Sequence, residues 1–147
     1  WPTEGLFDVV TNHDIRCTYA NGIKMRVSNQ GLRGGATWYG ENGWIHVNRG
    51  GYYASSEDIL KEVIGPDEIH LYKSKDHKQN FLDCVKSRQQ TIAPAEVGHR
   101  TVSIALLGEI AMITGRKLDW DPVKEKFNND PEANRLLERP IRGTWNI

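Results

Sequence analysis

Cysteine is scarce in this chain. Of 147 residues only Cys17 and Cys84 carry a thiol, and they lie far apart. That spacing fits neither a dense disulfide scaffold nor a Cys-x-x-Cys metal or redox motif, and it leaves the compartment undecided. A chain of this length buries roughly two-thirds of its unfolded surface, so it can fold without a disulfide framework or a structural metal. A charge excess is missing too: 19 lysines and arginines balance 19 aspartates and glutamates. Duplex-binding domains carry a clear basic excess, so nucleic acid is not expected as a partner. The longest apolar run, Ile104 to Ile113, is interrupted by Glu109 and is too short to span a bilayer, so no membrane partner is expected either. The start, Trp1-Pro2-Thr3-Glu4, has no initiator methionine and no basic-then-apolar leader. It reads as a cut within a longer protein, with any targeting signal outside this chain and both cytoplasm and bacterial periplasm open.

The common chemical signatures are absent as well. There is no Gly-x-Gly-x-x-Gly after a strand, no P-loop, no His-Glu-x-x-His and no Gly-x-Ser-x-Gly. The glycines of Gly31-Leu32-Arg33-Gly34-Gly35 and of Gly50-Gly51 precede strand or loop sequence and not a helix start. They read as turn glycines, because a helix-terminus phosphate site needs the helix. No residue of the chain is therefore assigned to cofactor binding. The five histidines, His13, His46, His70, His77 and His99, are scattered. No two sit at i, i+4 on one helix or beside a cysteine, so no metal site is expected.

What is present describes a globular α+β domain. Apolar residues make up 38% and charged residues 26% of the chain. The first half reads as strands and the second as helices, and 1–147 reads as a single domain. Asp14 to Tyr19 and Ile23 to Val27 alternate apolar and polar residues around Asn21-Gly22. A two-residue loop would set the apolar side of one strand against the polar side of the other. A three-residue loop, Ala20-Asn21-Gly22, pairs Tyr19 with Ile23, Cys17 with Met25 and Ile15 with Val27, with Gly22 left-handed in a G1 bulge. A second hairpin joins Ala36–Tyr39 to Trp44–Val47 across Gly40-Glu41-Asn42-Gly43. Its pairing puts Trp38 and Ala36 beside Ile45 and Val47 on one face. Tyr39 beside Trp44 and Thr37 beside His46 make the other. Two apolar faces are one more than a sheet covered by helices on one side requires, so something else must bury the surplus.

The helices follow. Ser55-Ser56-Glu57-Asp58 has the form of a capping box opening a short helix that stops at Gly65-Pro66. Ile69 to Tyr72 could add a strand. Asp76 to about Arg88 reads as a helix with Phe81, Leu82 and Val85 on one face. Glu96 to Thr114 is the clearest helix, capped by Gly115 and expected to be buried nearly all round in its second half. Gly108 inside it costs about 1 kcal/mol against alanine, so close backbone approach is its reason. Asp130-Pro131-Glu132 opens a last short helix with proline at its first position. The tail from Arg139 to Trp145 reads as irregular.

Three residues draw attention as candidate ligand contacts. His99 and Arg100 fall in the first turn of the long helix, where cations oppose the helix dipole, and residues that break a local rule are better functional candidates than those that obey it. The plain alternative is that Arg100 pairs with Glu96, four residues back. Trp120, between Asp119 and Asp121, could stack on a sugar face; the alternative is a buried indole flanked by solvated acids. On an extended segment the two aspartates point to opposite sides, which speaks against a glycosidase-like acid/base dyad.

The segments Asn80-Phe81-Leu82-Asp83-Cys84-Val85-Lys86-Ser87-Arg88, Gly98-His99-Arg100, Ile110, Gly115-Arg116-Lys117-Leu118 and Trp120-Asp121-Pro122 resemble the C-terminal domain of the glucose–fructose oxidoreductase/inositol dehydrogenase/MocA family. Asn129 to Asn134, the Arg139–Trp145 tail and Gly40 to Val47 with Arg49-Gly50 resemble one bacterial subgroup of it. The resemblance implies a mostly antiparallel open sheet with helices packed on one face. It also implies a missing N-terminal Rossmann domain that supplies NAD or NADP and the catalytic lysine. The parent would then transfer hydride to or from a sugar, a sugar derivative or a cyclitol, or use that oxidation to cleave glycosides. The sheet would build a homo-oligomer, for which Tyr39, Trp44 and His46 are the candidate interface residues. No catalytic residue of the family maps onto this chain, which alone is expected to bind no cofactor and to be inert. A stand-alone carbohydrate-binding or oligomerisation module, using the five tryptophans, is the alternative.

Overall fold

A computed structural model describes residues 1–7, 9–139 and 143. In chain order its elements are β1 (Asp14–Thr18), β2 (Lys24–Ser28), β3 (Ala36–Gly40), β4 (Gly43–Asn48), β5 (Gly51–Ala54), α1 (Glu57–Lys61), α2 (His77–Ser87), α3 (Ala95–Thr114), β6 (Trp120–Asp121), β7 (Lys126–Phe127) and α4 (Pro131–Arg135). The class is α+β, with antiparallel sheets and, among the described residues, no closed barrel. Among the described residues the strands form three sheets, β1-β2, β3-β4-β5 and β6-β7. No described helix is long and apolar enough to cross a membrane. The chain divides into two compact units, one of Trp1–Val27 with Ala95–Ile147 and the other of Ser28–Pro94.

In the first unit the β1-β2 hairpin closes with the three-residue loop that the alternation demands. Tyr19 N–H donates to the Ile23 carbonyl at 2.9 Å, and Gly22, at φ +86°, donates to the Tyr19 carbonyl. Ile15, Cys17, Met25 and Val27 form the half-buried side, and burial pushes the Cys17 thiol up. Asp14, Arg16, Lys24 and Arg26 face water, where Asp14 receives two bonds from Arg26, at 2.6 and 3.0 Å. Helix α3 lies on β1 at Gly108: a Cβ there would come within 2.5 Å of Ile15 Cδ1. Close approach is therefore why glycine stands in this helix. Gly115, left-handed at φ +65°, follows its last residue.

Helix α3 is less enclosed than its composition suggests. Only Gly108 and Ile110 are buried, while Val97, Val102, Leu106 and Ile113 stay exposed. The reason is that β1 and α4 pack on one side of it. The core of this unit is Ile110, Phe127 and Ala133, with Leu107, Leu118, Trp120 and Leu137 against them. Helix α4 starts as its sequence indicates, with Pro131 in the first turn and the Asp130 carboxylate accepting from Ala133 N–H at 3.0 Å. Arg116 adds bonds to Asp130 (2.7 Å) and Glu132 (2.9 Å). The Ala133 N–H first, and then Arg116, hold the Asp130 carboxyl below its ordinary value. Asn134 clamps β7 to α4, accepting from Phe127 N–H at 2.8 Å and donating to the Phe127 carbonyl at 2.9 Å. Of the tail, residues 140–142 and 144–147 lie outside the described residues.

In the second unit the hairpin register is the one alternation gives, with Ala36↔Val47, Thr37↔His46, Trp38↔Ile45 and Tyr39↔Trp44. A further strand, β5, pairs with β4 through His46↔Tyr53 and Val47↔Tyr52; its Gly51 start reads as a turn in the sequence. Trp38, Ile45, Val47 and Tyr52 share the face that remains open to solvent. Helix α1 is one short piece ending at Lys61, well before Gly65. Ser56 is its N-cap residue but forms no capping bond, and Ser55 Oγ instead accepts from Trp44 N–H, so the capping box does not form. Ile69–Tyr72 is not a strand: it pairs with no described strand, and Ile69 and Leu71 are exposed. Helix α2 runs as expected from its cap, Asp76, whose carboxylate takes the N–H groups of Lys78 and Gln79, both at 2.9 Å. Its apolar residues Phe81, Leu82 and Val85 are nevertheless exposed, and Cys84 alone is buried.

Candidate functional site

The β6-β7 hairpin brings one carboxylate to His99 and Arg100. Because α3 starts at Ala95, these two are its fifth and sixth residues, in the second turn and not in the first turn that the sequence indicates, so the dipole conflict expected of them is largely gone. Asp121 shapes the hairpin turn, accepting from the N–H groups of Val123 and Lys124, both at 3.0 Å, with Lys124 Nζ at 3.2 Å. Lys124, chiefly through its backbone N–H, holds the Asp121 carboxyl low. The turn ends on Glu125 in a left-handed conformation, φ +52°, unusual for a residue with a Cβ. That conformation carries its carboxylate back to α3, where His99 Nε2 meets Glu125 Oε1 at 2.8 Å and Arg100 approaches the same oxygen at 3.1 Å. Arg100 also bonds Glu96 at 2.7 Å and donates to the Pro122 carbonyl at 3.0 Å. The plain pairing with Glu96 thus exists, and it coexists with a bridge to the hairpin. The cluster faces solvent. His99 first, then Arg100, hold the Glu125 carboxyl low, while Glu96 and then Glu125 raise Arg100.

Glu125 escaped the sequence reading because it is distant in the chain and sits in a turn. The signal that points to it is the pair Trp120 and Phe127 flanking Asp121-Pro122: a tight hairpin there returns the chain to the helix that precedes it. Trp120 is half-buried, edge-on to Phe127 with ring centroids 5.1 Å apart. Asp119 accepts from Asn128 Nδ2 at 3.0 Å, so it and Asp121 are both engaged in local structure and make no dyad. The candidate interface residues do not form one open patch. Tyr39 is 81% exposed, Trp44 is half-buried and His46 is 2% exposed, enclosed in the second unit. His46 Nδ1 lies 2.8 Å from Thr37 Oγ1, and its Nε2 lies 3.3 Å from Asn48 Nδ2.

The cluster can hold a proton between His99 and Glu125 and can offer guanidinium hydrogens to hydroxyls. Among the described residues no group of three or more His, Cys, Asp or Glu is placed to hold a metal. The glycine turns run into β3 and β5, and the positive end of α2 is already taken by the Asp76 carboxylate.

Acid should weaken the fold in a defined direction. Asp14, Asp121, Glu125 and Asp130 are all held below their ordinary values. A depressed carboxyl stabilises fully above its unfolded value and loses that contribution as pH falls through the folded one. The urea midpoint is therefore expected to hold above the ordinary values of 3.8 for Asp and 4.5 for Glu and to drop below them. Glu125→Gln should make that drop shallower; an acid limb as steep as the wild type's would show that His99 and Arg100 do not hold Glu125 low.

Antiparallel sheets carrying helices, with a polar cluster on a helix-hairpin junction, define an α+β domain. The family model described as "Oxidoreductase family, C-terminal alpha/beta domain" matches residues 6–147. The chain belongs to this family, the C-terminal domain of the glucose–fructose oxidoreductase/inositol dehydrogenase/MocA oxidoreductases. No match was found among curated proteins or among solved structures.

Proposed function

We propose that residues 1–147 are the C-terminal, substrate-facing domain of a two-domain oxidoreductase that transfers hydride between NAD or NADP and a sugar, a sugar derivative or a cyclitol. The observation that carries this reading is the family match along nearly the whole chain. A separate Rossmann domain supplies the cofactor, and the chain alone is inert, because hydride transfer needs the nicotinamide held against the substrate carbon. His99, Arg100 and the exposed part of Trp120 contact substrate hydroxyls: Arg100 through guanidinium hydrogens, His99 through its imidazole, Trp120 by stacking. The three-stranded sheet joins copies of the protein. Its open face of Trp38, Ile45, Val47 and Tyr52 supports that assignment better than the His46 side, where the imidazole is enclosed.

The test is the mass of the native protein in its source cells, detected with antibody raised against this chain. A band above 16.7 kDa by about one further domain, binding NAD(H) after immunoprecipitation, is expected. A band near 16.7 kDa would replace the oxidoreductase reading with a stand-alone carbohydrate-binding or oligomerisation module. Dehydrogenase turnover by the purified chain would overturn its inertness.

A further inference from the structure

We propose that the second unit carries a separate binding site for a small oxyanion, a carboxylate or a phosphate group, in the cleft between Gly34-Gly35 and the turn Asn48-Arg49-Gly50. The cleft is open to solvent, measures about 730 Å³ and is also lined by Tyr53; ligand sites commonly span about 300–1,000 Å³. No carboxylate lines it.

Hydrogen bonding sets the chemistry. Asn48 Oδ1 accepts from Gly50 N–H at 2.8 Å, which turns Asn48 Nδ2 toward His46 Nε2. His46 Nε2 therefore accepts, and its Nδ1–H donates to Thr37 Oγ1. This enclosed chain spends the acceptors of Asn48 and His46 internally and fixes the turn that bears Arg49. At the rim, Arg49 and the Tyr53 hydroxyl have no polar partner among the described residues. Arg33 sits with its guanidinium 4.1 Å from the centre of the Tyr53 ring and faces no carboxylate among them. What is left without a polar partner on the cleft lining is one cation, Arg49, and the Tyr53 hydroxyl, with Arg33 already stacked on the Tyr53 ring beside them, so the complement is a ligand bringing acceptor oxygens and negative charge. The floor is backbone of necessity. Gly35 is at φ +126°, and a Cβ on it would run into the Val47 carbonyl oxygen, so no side chain can fill the cleft from there. These glycines precede strands, so the cleft is not the helix-terminus cradle of a nucleotide fold. The assignment is independent of the oxidoreductase reading.

Titrating the 147-residue chain with inorganic phosphate, with a hexuronate and with the corresponding neutral hexose, followed by amide chemical shifts, tests it. Saturable shifts of Gly34, Gly35, Gly50 and Tyr53 with phosphate or the hexuronate, and none with the hexose, are expected; whichever anion binds more tightly identifies the source of the oxyanion. Arg49→Ala should weaken binding about tenfold or more. Tyr53→Phe keeps the ring beneath Arg33 and should weaken binding by a smaller factor, whereas Arg16→Ala, in the other unit, should leave it unchanged. No saturable shift in the unaltered chain at tens of millimolar anion, or equal binding by Arg49→Ala and Tyr53→Phe, would overturn the assignment.

Discussion

Phe127→Ala is expected to remove about 3–5 kcal/mol of unfolding free energy, measured by urea denaturation. Phe127 is 3% exposed and sits among Ile110 and Ala133, with Trp120 edge-on against it. The loss has two sources: the buried ring itself, and the edge-to-face pair, which adds about 0.5–1.5 kcal/mol beyond area. The cavity cannot close easily, because Asn134 pins the backbone of residue 127 on both its N–H and its carbonyl. The consequence reaches the polar cluster. Phe127 anchors the returning strand of the hairpin whose turn delivers Glu125 to His99 and Arg100, so His99 ring resonances should shift in Phe127→Ala even under conditions where it stays folded. A stability loss under about 1 kcal/mol would show that this core does not hold the unit together.

Gly108→Leu is expected to cost about 3 kcal/mol, for the opposite reason of too much volume. Ile15 Cδ1, Cγ2 and Cγ1 would stand 2.5, 3.0 and 3.1 Å from a Cβ at this position. Turning Ile15 about χ1 relieves one of these atoms only by bringing another forward, so β1 itself has to move away from α3. Gly108→Ala should already destabilise, because its methyl is the Cβ that meets Ile15, but by less than leucine, since the helix regains about 1 kcal/mol of propensity and no further carbons have to be housed. Adding Ile15→Ala to Gly108→Leu should restore much of the loss, and the double-mutant cycle reads the coupling directly. An unchanged denaturation midpoint in Gly108→Leu would mean that β1 and α3 are not packed at this point.

These two positions also show what a sequence discloses. The cap residues Asp76, Gly115 and Asp130 obey local rules and Gly108 breaks one, and the structure places each where its chemistry requires. Register was legible for the same reason: Ile15, Cys17, Met25 and Val27 share a face only with a three-residue loop. Ile69–Tyr72 follows the same period, yet sheet membership needs a neighbour that no local pattern names. β5 erred the other way, because Gly51 hides a strand that pairing with β4 makes. In the candidate site, His99 and Arg100 stood out as first-turn cations, a placement the observed start of α3 at Ala95 moves to the second turn. Glu125, which gathers them, has no local oddity until its backbone conformation is known. The exposure of Phe81, Val102 and Ile113 was equally hidden, since an apolar stripe states what a helix could bury and not what is present to cover it.

The first unit is assembled from the two ends of the chain, with Ser28–Pro94 inserted between them. During synthesis at about 5–20 residues per second, Ile15 leaves the ribosome several seconds before Gly108 is made. The β1-β2 hairpin therefore waits with its apolar side uncovered, and a lone two-stranded hairpin is marginal in water. The inserted segment faces no such delay, because β3, β4 and β5 pair with their immediate neighbours. Order of emergence thus makes the inserted unit the first to form, and the unit that bears the His99–Glu125 cluster can close only once α3 has been translated.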